Sequence, residues 1–371
     1  MDFNMLEKVF NFYKKSPDDD VVLSTYARLA RNLSSFPFPV KYFQNDLEKM
    51  TDIFSNAFKN LEYDEKFHYL NYFLYKPEYL KTICERGFMK YPQIRNNSIF
   101  LNSTGMFVSD SLKVHAEINC IDHIHIISAA NGYKIKELYE NCSSLDKALQ
   151  KNLEFAFSKE FGYLSSFLYN TGTGLKLSAR FHIPAIVFNK KQNELNDIIK
   201  NHNLVLLEPS EKNPFFNFNS GSFCTVATHS LFQSSEIEQL ADFESASKKI
   251  INLERKNVCD LSDNKKTVCL NTVRQAFALS KAAIFMPLKF AANIVSDLLF
   301  GLKLNFLGGM QFYELQNLLY FIQDGHIELL SKDKDLTFCE EDIKDNPKMV
   351  RDRFRAVLVH NLTKSLRLNE I

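Results

Sequence analysis

Apolar positions recur along this chain in two periods, and the change from one to the other predicts its layout. Phe3, Leu6, Phe10 and Tyr13 are spaced as on one helix face over residues 2–15. The run Ser16-Pro17-Asp18-Asp19-Asp20 ends that pattern, and Val21-Val22-Leu23 reads as a short buried strand. Helical spacing returns at residues 44–60 and 62–75. The stretches 98–101, 105–109, 114–119 and 122–128 carry β-branched and aromatic residues between turn signals such as Asn102-Ser103 and Asn131-Gly132, and predict an antiparallel meander. Ser144–Ser158 reads as helix, Gly162–Ser166 as strand, Asn170–Gly174 as a glycine-containing loop, Ser178–Phe188 as strand and Gln192–Asn201 as helix. Residues 208–222 have the Pro, Asn, Ser and Gly content of a long loop, and 235–256 are amphipathic and charged. Beyond about residue 260 the strand signals fade and helical patterns hold at 266–280, 289–301, 311–322 and 346–367. The expected organisation is a mixed domain over residues 1–255 and a helical domain over 256–371. No internal repeat or low-complexity tract interrupts it.

Composition narrows the function classes. Lys and Arg number 45 against 44 Asp and Glu, so the net charge is +1, which argues against a strongly basic nucleic-acid binder and leaves room for a local basic patch. The seven cysteines, at 84, 120, 142, 224, 259, 269 and 339, are odd in number and show no CxxC spacing, which points to reduced thiols in a cytoplasm rather than a disulfide framework or a zinc ribbon. The N-terminus interleaves charged with apolar residues and lacks the apolar stretch of a secretory signal. Residues 282–306 are the most apolar region, but Pro287, Lys289, Asp297 and Lys303 interrupt it, so it reads as buried helix rather than a membrane span.

Four segments carry a resemblance. Val22-Leu23-Ser24-Thr25-Tyr26-Ala27-Arg28-Leu29-Ala30-Arg31-Asn32 is similar to V-L-S-S-R-I/V-R-L-A-R-N. Ile118-Asn119-Cys120-Ile121-Asp122-His123-Ile124-His125 is similar to I/L-N-E-E-D-H-I/L-R. Gly162-Tyr163-Leu164-Ser165-Ser166, with Asn170-Thr171-Gly172-Thr173-Gly174-Leu175-Lys176, is similar to G-Y-L-T-S-C-P-T-N-x-G-T-G-L-R. Arg351-Asp352-Arg353-Phe354-Arg355-Ala356 matches R-D-x-x-R-A. In this order they resemble the ATP:guanido phosphotransferases, and the start of the first motif only some twenty residues into the chain points to the bacterial protein-arginine kinase branch. The resemblance implies an α+β fold: a curved antiparallel sheet flanked by helices, like the glutamine synthetase catalytic domain, followed by a helical domain that dimerises. It implies ATP and Mg²⁺ as ligands. It also implies a phosphoarginine-containing protein, a zinc-finger activator protein and Clp protease components as partners, with no nucleic acid and no membrane.

The chemistry asks for arginines to hold a triphosphate and a carboxylate to orient and deprotonate the acceptor guanidinium. By the resemblance, the phosphate-binding positions are Tyr26, Arg28, His125, Lys176 and Leu207, and the catalytic positions are Cys120 and Ile121. Tyr26 stands for an arginine, Cys120 and Ile121 for two glutamates, His125 and Lys176 for arginines, and Leu207-Glu208 for an arginine-glycine pair. Phe167 and Leu168 replace the family's cysteine and proline. Read as strand, the second motif puts Ile121, His123 and His125 on one face and Cys120 and Asp122 on the other, which turns Asp122 away from the site. Little or no arginine kinase activity is therefore expected; an active kinase with Arg28, Lys176 and Asp122 or Glu117 in altered roles is the alternative. His123 and His125 lack a third metal ligand at clear spacing and read as core histidines. The Gly172-Thr173-Gly174 loop either cradles phosphate through its N–H groups or is a turn kept for folding. Arg31 reads as structural. Arg351 and Arg355, four apart on a helix, share one face and with Asp352 form a phosphoarginine-binding set.

Overall fold

The structure is a computed structural model that describes residues 20–39, 44–89, 103–207, 221–229, 234–332 and 340–370. The expected helix over 2–15, the strand at 98–101 and nearly all of the loop at 208–222 lie outside these residues. Strand β1 (Val22–Arg31) is followed by α1 (Gln44–Lys59), β2 (Phe67–Asn71) and α2 (Pro77–Glu85). Next come β3 (Gly105–Ser109), β4 (His115–Ile118), β5 (Ile124–Asn131), α3 (Ile135–Leu149) and the short pair β6 (Phe157–Ser158) and β7 (Gly162–Tyr163). Then follow β8 (Leu175–His182), α4 (Pro184–Phe188), α5 (Gln192–Asn201), β9 (Leu204–Leu206) and β10 (Phe223–Thr228). The remainder is helical: α6 (Glu236–Asn264), α7 (Lys266–Ala282), α8 (Leu288–Lys303), α9 (Phe312–Phe321), α10 (Asp324–Lys332) and α11 (Pro347–Leu362), with β11 (Leu307–Gly308) pairing β12 (Arg367–Leu368).

Eight strands form one sheet in the order β2-β3-β4-β5-β1-β8-β10-β9, and the pairs are antiparallel. Alternation sorts its side chains. Ala27, Leu29, Ile124, Ile126, Leu175, Leu177 and Ala179 enter one core with apolar residues of α1, α3, α5 and the first half of α6. Tyr26, Arg28, Glu117, His125, Lys176 and Arg180, at the alternate positions, line the opposite face. The helical part packs a second core that takes in Leu23 from β1 and Ala185 from α4. At the same seam His182 hydrogen-bonds Ser296 at 3.1 Å.

Several expectations are corrected. The first motif lies within and just after a ten-residue strand rather than following a three-residue one, because β1 is central and both its faces are covered. Residues 62–75 are not helix: β2 runs as an edge strand and a 3₁₀ turn follows at Tyr72–Leu74. The helix expected at Ser144–Ser158 lies earlier, at Ile135–Leu149, where Ile135, Leu138, Cys142, Leu145 and Leu149 are buried at helical spacing. The strand expected through Phe188 stops at His182, and Pro184 opens α4, its fixed φ suiting the first helical turn. Residue 255 falls inside the continuous α6, whose Ile250 and Ile251 belong to the first core and whose Leu261 belongs to the second. Among the described residues no helix is long and apolar enough to cross a membrane, and the described cysteines are free thiols.

Candidate functional site

The second motif is a hairpin, not a continuous strand. β4 ends at Ile118, the chain turns through Asn119–His123, and β5 begins at Ile124. Asn119 takes φ 58° in the turn, a left-handed conformation its short polar side chain tolerates. Its amide donates to the carbonyls of Leu47 at 3.1 Å and Ser103 at 2.7 Å, fixing the turn to α1. Alternation therefore does not govern Cys120, Ile121 and Asp122. Cys120 and Ile121 are partly exposed in the turn, and neither offers an oxygen. The Cys120 thiol donates to Ile118 O at 3.5 Å.

Asp122, expected to point away, is fully buried and bonded to His125 on the polar face. It accepts from Asn32 Nδ2 at 2.8 Å, Ser165 Oγ at 2.5 Å and Asn170 Nδ2 at 2.6 Å, and meets His125 Nε2 at 3.0 Å. Burial pushes its pKa up, but the hydrogen bonds from His125, Ser165 and Asn32 outweigh burial and hold the carboxyl well below the usual carboxylate range. Glu117 Oε2 lies 3.8 Å from the other ring nitrogen of His125, and all three side chains are shut from solvent. Both carboxylates are thus enclosed. His123 takes a structural position, its Nδ1 accepting from Leu33 N at 2.9 Å and its Nε2 facing Pro37 O at 3.0 Å.

Across the sheet, Arg28 is in register with Lys176. Arg28 is 1% exposed, donates to Asn170 Oδ1 at 2.5 Å, and keeps an Nε without a partner among the described residues. Burial and the neighbouring Arg28 charge lower the Lys176 pKa to about 8. Tyr26 is partly exposed, and burial raises its pKa, so it stays a neutral phenol. Leu207 donates its backbone N–H to Thr225 O at 2.8 Å and brings no charge, while Glu208 lies outside the described residues. The structure thus places Tyr26, Arg28, His125 and Lys176 on one face, with two side chains of cationic type where the resemblance asks for more. In the glycine loop, Gly172 N donates to Tyr163 O at 3.0 Å and Leu175 N to Thr173 Oγ1 at 3.2 Å, so these two N–H groups serve the turn.

The C-terminal set is split. Arg355 is 1% exposed and donates to Ile322 O at 2.6 Å, to Met286 O at 2.8 Å, to Asp352 Oδ1 at 2.6 Å, and to Asp324 Oδ1. Its fork ties α11 to the start of α10 and to the turn before α8. Arg351 is partly exposed, 3.4 Å from Glu328 and 3.9 Å from Asp324. The two guanidinium groups therefore do not present together, because one is consumed inside the fold. Sequence reasoning assigned no role to Asn32 or Asn170, although both lie inside the quoted motifs; neutral amides offered no charge signal to follow.

Triphosphate with Mg²⁺ needs several cations and a carboxylate with room for a metal; this face carries Arg28, Lys176 and Arg180, and its carboxylates Asp122 and Glu117 are buried. Among the described residues no group of three metal-ligating side chains occurs.

Comparison with known proteins places this geometry. Residues 49–257 match the profile of a family described as ATP:guanido phosphotransferase, C-terminal catalytic domain. The chain is 24% identical over 352 residues to a protein-arginine kinase of Bacillus pumilus, covering 94% of each chain. It shares a fold with the duplicated taurocyamine kinase of Schistosoma mansoni, at 21% identity and a TM-score of 0.56, over 66% of this chain and 34% of that one, so it spans about a third of that protein. Lombricine kinase is similar at 18% identity and a TM-score of 0.54, over 67% of this chain and 70% of the other.

Proposed function

The chain belongs to the ATP:guanido phosphotransferase family, among the protein-arginine kinases, and from that premise we propose that it has lost phosphoryl transfer to arginine and acts by binding. The observation that carries this is the hairpin turn at 119–123: the positions of the two expected glutamates hold Cys120 and Ile121, and the nearby carboxylates Asp122 and Glu117 are buried. An acceptor guanidinium, with its pKa above about 12, finds nothing there to orient it or take its proton. Each missing preorganised group costs roughly 10²–10³ in rate. Tyr26 and Leu207 remove cationic contacts as well, His125 is taken up by Asp122 and Glu117, and even non-additive losses leave little turnover.

The partner on this reading is a protein bearing phosphoarginine, in protein quality control, with a zinc-finger activator and Clp components as further partners that the family resemblance suggests. Arg351 is the contact and Arg355 the strut beneath it. Calorimetric titration with a phosphoarginine peptide tests the binding half. Arg351→Ala is predicted to weaken binding at least tenfold, about 1.4 kcal/mol. Equal binding by both proteins, or none by either, contradicts it.

A second reading keeps the enzyme active with altered residues. Its support is the Arg28–Lys176 pair, whose partnerless Nε and neighbouring ammonium favour an anion between them.

A further inference from the structure

Arg31, the last arginine of the first motif, lies on the opposite sheet face from Arg28, and its whole fork is in use. It is 1% exposed. Nε and Nη2 grip Asp146 of α3 bidentately, at 3.1 and 2.8 Å. Nη1 donates to Thr173 O at 2.8 Å and to Ala30 O at 2.9 Å. The guanidinium lies over the Tyr163 ring, 3.5 Å from its centroid. Thr173 is the middle residue of the glycine loop, and the loop is pressed down on this arginine. A Cβ at Gly174, where φ is +66°, would stand 2.5 Å from Ala30 O and 2.7 Å from Arg31 Nη1. Ala30 N returns a hydrogen bond to Gly174 O at 3.0 Å.

We propose that Arg31 is a positioning residue for the glycine loop, setting the height of Gly172–Gly174 so that Asn170 before it and Lys176 after it both face Arg28. Asn170 spans Arg28 and Asp122 with its two amide atoms, at 2.5 and 2.6 Å. Lys176 enters β8 opposite Arg28 two residues beyond Gly174. A shift of the loop therefore moves both contacts of Arg28 together. Only a planar fork can hold Asp146 along one edge and Thr173 O along the other; an ammonium keeps the charge and cannot span the two. The role holds whether or not phosphoryl transfer survives.

Arg31→Lys in the full chain tests this, with Tyr163→Leu as a second variant that removes the platform under the fork. Two signals are read in each. The first is amide hydrogen exchange at Gly172 and Leu175, predicted to quicken about tenfold while Ile127 in β5 stays as it was. The second is the side-chain NMR titration of Lys176, assigned by its loss in Lys176→Gln. It is predicted to move from about 8 towards the usual 10.5 as Lys176 draws away from Arg28. A folded variant in which Lys176 titrates unchanged, or in which exchange rises equally throughout the sheet, overturns the proposal. Failure of both variants to fold also overturns it, because Arg31 would then serve overall stability alone.

Discussion

Asp122 carries four hydrogen-bonding neighbours on two oxygens, drawn from all three N-terminal motifs: Asn32 from the first, His125 from the second, and Ser165 and Asn170 from the third. A carboxylate so placed braces the hairpin turn against β1 and the glycine loop. Its folded pKa is depressed, so its stabilisation is present above the ordinary carboxylate value of 3.8 and is lost as pH falls below that. Asp122→Asn keeps the shape, replaces an acceptor with a donor facing Asn170 or Ser165, and is predicted to cost about 2–4 kcal/mol in urea denaturation at neutral pH. The loss should shrink on acidification. The motif made this residue legible, but its orientation was not, because period-two alternation applies to strands and Asp122 sits in a turn. Cys120 and Ile121 were legible as losses by identity alone, since no backbone geometry gives either side chain a proton-accepting oxygen.

Among the elements, α10 shows what sequence pattern could not carry. It is short, and its first turn is polar, so no apolar stripe announced it. Its N-terminus is held from α2: Glu85 accepts from Gly325 N at 2.6 Å, His326 N at 3.1 Å and His326 Nδ1 at 2.6 Å, while Arg86 Nε donates to His326 Nε2 at 2.9 Å. A carboxyl at a helix N-terminus meets both unsatisfied N–H groups and the positive end of the helix dipole. Burial nevertheless pushes its pKa from the usual 4.5 to about 8. The folded protein keeps a proton there that the unfolded chain has released, so stability falls as pH rises through that window. Glu85→Gln is predicted to flatten this slope relative to the parent in melting experiments across the same window; parallel slopes would contradict it. The helices at 266–282 and 288–303 were readable because their apolar positions recur at helical spacing over at least four turns. The unbroken α6 was not, because composition changes with the core a helix faces and not with where the helix ends.

At the scale of the molecule, two cores meet along one seam. Leu23 and Ala185 from the sheet side enter the helical core, Gln316 Nε2 donates to Leu23 O at 2.8 Å, and Glu254 of α6 caps α4 through Ala185 N and Ile186 N at 3.1 and 3.0 Å. The polar sheet face therefore sits on an antiparallel framework tied to the helical core, and its chemistry is decided by a handful of side chains upon it. Family membership and sheet-plus-helix architecture were legible because motif order survives substitution. The division of Arg351 and Arg355 was not, because two arginines on one helix read alike until their neighbours are known. The central claim is that this face no longer transfers phosphoryl groups. The direct measurement is incubation of the full chain with γ-labelled ATP, Mg²⁺ and a mixed arginine-containing protein substrate, followed by detection of the acid-labile phosphorus–nitrogen product. The account predicts no label on arginine above a protein-free control. Label that forms on arginine and vanishes in Arg28→Ala would contradict it.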